Sequence, residues 1–427
     1  MTEILIIGLM FALIALGVPI AVGILASALT GLWLLRGDLG FMNAVLALFD
    51  GATSFPLIAI PLFILAGSLM NTGGISRRLI AFVSSLVGFM RGGLAMVNVG
   101  VSLFFAEISG SAVADVAALG SVLIPEMKRK GYSPTFAAAV TSSSASLAII
   151  IPPSIPMILY GAIANVSIVQ LFVAGIVPGL LGGFGLMALC AWLARRYDLP
   201  RDERFDPARV WRAARDAGWA LLLPTIILGG IFGGVVTATE GAGLAVLAAL
   251  VIGVFIYREV RPDEIGRALM DGVVQTATVM LLVAASAVLG LYITETQAPQ
   301  RLTRAVLALS NEPWLILLML NALLFLIGMV LHGAAAIILV TPVVLPLITA
   351  VGIDPLHFGI ILTLNIALGQ QTPPVASVLA TACSIAGTDI WSTTRANIGF
   401  VTVLIAVLLL VTYVPAVPLS LVRFFYG

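Results

Sequence analysis

The residues of this chain that could do chemistry gather at four places where an apolar helix has to stop. Two are short polar or small-residue bends, Glu107-Ile108-Ser109-Gly110-Ser111-Ala112 and Met329-Val330-Leu331-His332-Gly333-Ala334. Two are proline breaks, Ile151-Pro152-Pro153-Ser154-Ile155-Pro156 and Gln370-Gln371-Thr372-Pro373-Pro374. Proline removes a backbone donor and glycine loosens the helix, so each place frees carbonyls on one side and amides on the other. Freed carbonyls with nearby hydroxyls suit a hard cation such as Na⁺, while the N-termini of half-helices carry partial positive charge and suit a carboxylate. The candidate ligands of a first sodium ion are Ser109, Gly110, Ser111, Ser144, Ser146 and Pro152. For a second they are His332, Gly333, Gln370, Gln371 and Thr372. Ser111, Pro153, Ser154, Thr372 and Pro374 are the candidates for holding an organic anion between them.

Other chemistries find little support. No Gly-x-x-x-x-Gly-Lys run cradles a phosphate, and no serine sits in a Gly-x-Ser-x-Gly elbow. Two distant histidines and two cysteines in apolar stretches, Cys190 and Cys383, make neither a metal cluster nor a disulfide framework. The chain reads as a non-enzyme. Glu107 and Asp115 flank the first bend, where a carboxylate is costly unless paired or wet, and either could touch a coupling ion. His357 reads as a surface residue, Glu240 as a solvated turn residue, and Asn365 and Gln371 as glue between helices as readily as ligands. The run Thr141-Ser142-Ser143-Ser144-Ala145-Ser146 has an equally plain reading, close packing of helices.

What positions these four places is a repeat. Set residue n against residue n+221, and Pro125, Gly131, Pro134, Pro152 and Pro153 fall on Pro346, Gly352, Pro355, Pro373 and Pro374. The matches imply that the two halves stop their helices at the same points. Of 427 residues 61% are hydrophobic and 10% charged, with mean hydropathy +1.16, which sets the chain in a bilayer. At that depth irregular backbone is tolerated only where it lines a cavity or is buried in protein, and paired broken helices in two halves mark the binding site of a secondary transporter. A net charge of +1 without a basic block argues against nucleic acid as a partner. The start, Met1-Thr2-Glu3-Ile4, reads as the approach to a first membrane helix rather than a cleaved leader.

The expected architecture is all-α and polytopic, an inverted repeat with two re-entrant helical hairpins and two broken helices. Scaffold helices and an interfacial arm occupy 1–93, with spans at 3–17, 19–35 and 56–73 and the arm at 75–91. The first hairpin and broken helix occupy 94–165, and 166–313 holds further scaffold, the charged linker 195–217 and a second arm at 299–310. The second hairpin and broken helix occupy 314–388, and 389–427 is a last scaffold helix. If the hairpins enter and leave on one side, ten full spans remain, and 17 of the 21 Lys and Arg fall on the linker's side. Only Arg36, Arg301, Arg304 and Arg423 fall on the other. The positive-inside rule then places the linker in the cytoplasm, and the run Lys128-Arg129-Lys130 reads as a topology anchor.

Over essentially its whole length the chain resembles the large membrane subunit of tripartite ATP-independent periplasmic (TRAP) transporters. The resemblance is carried by Phe55-Pro56-Leu57-Ile58-Ala59-Ile60-Pro61-Leu62-Phe63-Ile64-Leu65-Ala66-Gly67, Ser109-Gly110-Ser111-Ala112 and Pro125-Glu126-Met127 with Gly131-Tyr132. Ile151-Pro152-Pro153-Ser154 and Gly369-Gln370-Gln371-Thr372-Pro373-Pro374 complete it. It implies a permease of the bacterial or archaeal inner membrane working with a small membrane subunit and a periplasmic substrate-binding protein. It further implies sodium-driven import of organic anions such as C4-dicarboxylates, sialic acid or other sugar acids, by an elevator motion of hairpins and broken helices against a scaffold. His332 departs from the acidic residue expected of many members at the second bend, so the resemblance carries over backbone ligands there rather than a side chain. Two alternatives differ in kind: a self-sufficient sodium–carboxylate symporter of the same architecture, and a non-transporting membrane scaffold, which leaves the paired breaks unexplained.

Overall fold

The computed structural model describes residues 2–200, 205–260 and 262–427, with the side chains of 2–4, 107–109 and 262–263 outside the description. The described residues form helices and no strand. In chain order they are α1 (Thr2–Ala15), α2 (Ile20–Arg36), α3 (Asp38–Thr53), α4 (Ala59–Thr72), α5 (Ile75–Val87), α6 (Gly93–Ser109) and α7 (Ala112–Arg129). Next come α8 (Pro134–Ala145), α9 (Ile155–Ala164), α10 (Ile168–Arg196), α11 (Pro207–Asp216), α12 (Gly218–Phe232), α13 (Ala238–Leu250) and α14 (Pro262–Glu295). The last are α15 (Ala298–Leu309), α16 (Pro313–Val330), α17 (Gly333–Ala350), α18 (Pro355–Gly369), α19 (Ser377–Ala386), α20 (Ile390–Tyr413) and α21 (Ala416–Tyr426).

The repeated residues act locally in three ways. Gly131 and Gly352 take left-handed backbone, with φ 89° and 75°, just after α7 and α17. Pro134 and Pro355 begin α8 and α18, each behind a capping residue, Ser133 or Asp354, that accepts a backbone N–H from inside the first turn. Pro152-Pro153 and Pro373-Pro374 interrupt the helix and both carry a cis peptide bond. Pro125 and Pro346 correct the expectation that every match is a stop, because α7 and α17 run through them. One missing N–H is tolerated inside a membrane helix where neighbours re-satisfy the freed carbonyl.

Seven described helices are long and apolar enough to cross a membrane singly, among them α10, α14, α20 and both arms of the second hairpin. The two broken spans and α1 and α2 do not reach that length as single helices. The arm expected at 75–91 is α5, and the one at 299–310 is α15. The sequence reading missed α3, whose apolar run is interrupted by Asp38, Asn43 and Asp50. It packs on α2 and α14 and leaves Leu39, Met42, Leu46 and Phe49 exposed along one face. The charged linker also holds a helix, α11, bent 59° from α12.

Charges sort into two layers. Arg77 and Arg78 of the arm pair with Glu259 at 2.6 and 2.9 Å, and Arg78 also reaches Asp216 at 3.3 Å. Arg91 meets Asp198 at 3.5 Å, and Lys128 Nζ donates to the Ala386 carbonyl at 2.9 Å. The arm, the linker, the 258–260 turn and the end of α7 thus share one layer, as the charge count requires; Arg201, Arg204 and Arg261 lie outside the described residues. From that layer α14 runs 34 residues, about 51 Å at the α-helical rise, to Glu295, which pairs with Arg36 at 2.9 Å.

Candidate functional site

Tip and break meet because the segments that carry them have matched lengths. The 18 residues of α7 rise about 27 Å, and the 12 of α8 with a 4-residue 3₁₀ turn rise about 26 Å. These elements are antiparallel neighbours, so the first tip arrives at the first break, while α9 continues 10 residues further. Gly110 closes the approach. Its φ is 58°, and a Cβ there would lie 3.0 Å from the Pro153 carbonyl and 3.1 Å from the Ile155 amide. At the second tip a Cβ on Gly333 would lie 3.1 Å from Gln370 Nε2, and the Val375 amide donates to the Met329 carbonyl at 3.2 Å.

The halves interlock beyond these meetings. α9 packs on α17, and α19 packs on α7, so each broken helix ends against the other half's hairpin. Near the crossing the Ser146 hydroxyl donates to the carbonyl of Ala367, its own counterpart 221 residues on, at 3.4 Å.

Both tips open onto one cavity of about 810 Å³. Gly110, Ser111 and Ala112 line it from the first tip, His332, Gly333 and Ala334 from the second, and Ile155, Pro156 and Gln370 from the breaks. The first turns of α7, α9 and α17 therefore all face one space, and helix N-termini favour an anion. Among the described residues that line it, no lysine or arginine appears; Asp115 and Asp271 are its acids and His332 its one imidazole. From the tips the cavity follows α7 past Asp115 to Ser121, α14 from Val279 to Asp271, and α4 from Ile64 to Asn71. All three paths lead toward the arginine-rich layer.

The predicted residues divide. The cavity gathers Gly110, Ser111, His332, Gly333 and Gln370, and the Pro153 carbonyl lies beside Gly110. For Ser109 the backbone ends α6 and the side chain lies outside the described residues, as does that of Glu107. Ser144, Ser146, Gln371 and Ser154 are fully or nearly fully buried away from the cavity lining. Ser144 Oγ donates to Asn98 Oδ1 at 3.1 Å and accepts from Ser102 at 2.9 Å. Gln371 Nε2 donates to the Ser142 carbonyl at 2.6 Å and to Ser146 Oγ, while Asn397 donates to its Oε1 at 3.3 Å. Ser154 caps α9 and donates to the Ile149 carbonyl at 2.6 Å. Thr372 bonds back to Leu368 at 3.2 Å, Pro374 is exposed off the cavity, and Pro152 lines a separate apolar crevice with Leu103 and Ile176. His357 is not a surface residue: it is 3% exposed, and its Nε2 lies 2.7 Å from the Val411 carbonyl. Glu240 is exposed as expected, but it stands in the first turn of α13 rather than in the connecting turn, and completes a capping box with Thr237.

Sequence reasoning missed two groups. One is the scaffold wall of the cavity, Ser68 and Asn71 on α4 with Asp271, Gln275 and Thr278 on α14. Their spacings, i+3 on one helix and i+4, i+7 on the other, draw a polar stripe along apolar helices that helical periodicity could have found. The other is the buried asparagines Asn98, Asn321 and Asn397. Asn98 holds Thr141 at 2.6 Å and Ser144, while Asn321 accepts from Asn365 at 2.7 Å, and Ser144 and Asn365 are repeat partners.

Comparison with known proteins agrees with this geometry. Residues 7–417 match the family described as "Tripartite ATP-independent periplasmic transporter, DctM component". The C4-dicarboxylate TRAP transporter large permease protein DctM of Pseudomonas aeruginosa is 39% identical over 380 residues, covering 89% of each chain. The sialic acid TRAP transporter large permease protein SiaM of Vibrio cholerae is 35% identical, covering 98% of this chain and 97% of its own. The isethionate TRAP transporter permease protein DctMQ of Oleidesulfovibrio alaskensis is 39% identical over 96% of this chain, which spans only 65% of that longer protein. In fold, the chain is similar to the crystal structure of the Alcanivorax borkumensis YdaH transporter, with TM-score 0.65, 16% identity and 89% coverage of both chains. An inverted repeat whose tips and breaks share one cavity, matched along nearly its full length by these permeases, belongs to the TRAP transporter family as a large permease subunit.

Proposed function

We propose that this chain is the transport subunit of a sodium-coupled importer of organic anions, acting in the bacterial or archaeal inner membrane. A periplasmic binding protein delivers the anion, and a small membrane subunit completes the scaffold. The convergence of both tips on one cavity carries this reading. Residues 94–165 and 314–388 move together as the transport domain, since the crossing of α9 onto α17 and α19 onto α7 ties their motions. Residues 1–93, 166–313 and 389–427 stay as scaffold, and α4 and α14 form the wall past which the site slides. Because the cavity extends toward the arginine-rich layer, the positive-inside rule makes this the state that releases substrate to the cytoplasm. The anion is a carboxylate, as in the relatives named for C4-dicarboxylates, sialic acid and 2,3-diketo-L-gulonate. Sodium sits near Gly110, Ser111 and the Pro153 carbonyl, and a second ion near Gly333 and Gln370.

The test is uptake into vesicles holding this chain and its small subunit, with the binding protein outside, under a sodium or a potassium gradient. Uptake that needs both sodium and the binding protein is expected. Uptake without the binding protein would establish the self-sufficient symporter instead, and uptake indifferent to sodium would remove the coupling. Ser111→Ala keeps the small volume and removes one oxygen, so the half-saturating sodium concentration is expected to rise about tenfold, the worth of one hydrogen bond to an ion.

A further inference from the structure

A second cavity, of about 430 Å³, lies apart from the site and is walled by α5, α6, the first break, α10 and α12. Every described residue that lines it is apolar. No side chain there can hold the organic anion, because a carboxylate taken out of water needs a donor or a counter-charge. Leu86, Leu180 and Phe184 line the crevice and are themselves exposed, so it opens at the protein surface. On α10, a helix long enough to cross the membrane, the lining keeps to one face: Ile176, Leu180, Phe184 and Met187. These four span about 16 Å, half of the ~30 Å hydrocarbon core.

The same face of α10 leads to a cation. Three turns past Phe184, in the last turn of the helix, stands Arg195, exposed and in no ion pair among the described residues. Its neighbours are engaged: Arg196 lies over the Trp192 ring at 5.1 Å, and Arg91, at the end of the arm, meets Asp198 at 3.5 Å. They belong to the arginine-rich layer, which the positive-inside rule sets against the cytoplasmic leaflet and its anionic lipids. We propose that the crevice binds an anionic phospholipid of that leaflet, with one acyl chain along α10 and the phosphate at Arg195. A long arginine suits this role, since its stem lies on apolar surface while the guanidinium reaches the headgroup and pairs with phosphate oxygens. A helix from another subunit fits poorly. At about 10 Å wide with its side chains it would need roughly 1,250 Å³ over the same length, about three times the crevice. The lipid also lies on a seam: α6 and the first break belong to the part proposed above to move, and α5, α10 and α12 to the part proposed to stay.

The experiment uses the permease with its small subunit in phosphatidylcholine vesicles. A trace of phosphatidylglycerol or of phosphatidylcholine carries a photoreactive diazirine near the end of one acyl chain, and labelled peptides are mapped by mass spectrometry. Label is expected on residues 100–104 and 176–187, enriched over the exposed face of α3, which meets bulk lipid. Phosphatidylglycerol should label these segments about fivefold more than phosphatidylcholine, the worth of one arginine beside an anionic headgroup. Arg195→Gln should bring the two lipids level while the label stays in place. Leu180→Trp, which adds bulk inside the crevice, should clear residues 100–104 of label from either lipid. Both positions are exposed, so folding should survive; should Leu180→Trp fail to assemble, the wild-type map and Arg195→Gln still decide. Label no denser here than on α3 would overturn the site. Equal labelling by the two lipids in wild type, or an Arg195→Gln without effect, would overturn the headgroup assignment. Label that appears only when the small subunit is left out would show that the subunit, not a lipid, covers the crevice. None of these readouts needs transport, so each stands whatever sodium-dependent uptake shows.

Discussion

The two proline breaks are equals in the sequence and unequal in the molecule. The first is sealed: Ser154 caps the helix beyond it, residues Ile151 to Ile155 are buried, and Gly110 seats the tip directly on its backbone. The second is looser, with Pro374 and Val375 exposed and Ala376 in left-handed backbone at φ 49° with no side-chain cap on α19. Its tip meets the Gln370 side chain at Gly333 and shares one backbone hydrogen bond with the break, from the Val375 amide to the Met329 carbonyl. A fully buried junction can hold an ion to within the tenths of an ångström that coordination needs, and a partly exposed one has room to adjust. The repeat thus supplies two copies of one device, and packing makes one a fixed seat and the other an adjustable one.

The largest test of this contrast pairs the two tip glycines. Gly110→Ala puts a methyl against two backbone groups in a conformation unfavourable by roughly 1–2 kcal/mol for an L-residue, so the tip must move. Displacing a site by about 1 Å costs about a hundredfold in rate, and uptake is expected to fall by that order. Gly333→Ala is tight only against the end of the flexible Gln370 side chain, with Ile366 at ordinary contact distance, and should change uptake by less than about threefold. Equal losses in the two variants would erase the distinction between fixed and adjustable tips.

A second comparison concerns the asparagines that tie each hairpin to its broken helix. Asn98→Ala removes the partner of Thr141 and Ser144 in a fully buried setting and should lower stability by about 1–3 kcal/mol, read as a drop in melting temperature in detergent. Asn365→Ser installs the residue of the first half at a position whose Oδ1 has no partner among the described residues. Its melting temperature should fall less than that of Asn98→Ala, because the unsatisfied Asn365 acceptor leaves even as the Asn321 acceptor loses its donor. The smallest contrast lies at the breaks. Ser154→Ala should cost about 1 kcal/mol through the lost cap. Ala376→Gly should be near neutral, because relief of about 1–2 kcal/mol of backbone strain is offset by about 0.8 kcal/mol of lost methyl burial and the added entropy of glycine. A destabilising Ala376→Gly would show that the second break is held as firmly as the first.

Much of the fold was legible because its determinants are local. Proline and glycine act on their own backbone, so the helix ends at 131–134 and 352–355 and the breaks at 150–154 and 370–376 could be read one residue at a time. The exceptions follow the same logic. Pro125 and Pro346 look like stops in sequence, and only neighbouring helices make them tolerable inside α7 and α17. The candidate site was legible in part, since the small tip residues and Gln370 do reach the cavity. Ser144, Ser146 and Gln371 were drawn in by composition, yet the rotation of α8 and α18 turns them into contacts between helices. The face that a helical residue presents depends on which helix packs beside it, and that partner lies 221 residues away for Ser146 and 229 for the carbonyl of Ser142.

By itself, then, the sequence determined a membrane protein of two related halves, where each half must interrupt its helices, and on which layer its cations gather, because hydropathy, backbone stereochemistry and charge are properties of residues. The tertiary structure alone decided that α4 and α14 wall the cavity, that Ser111 and His332 share it while Ser144 does not, and that the two breaks differ in burial. Those are properties of crossings between helices distant in the chain, and a crossing is fixed by how side chains interdigitate rather than by any one of them.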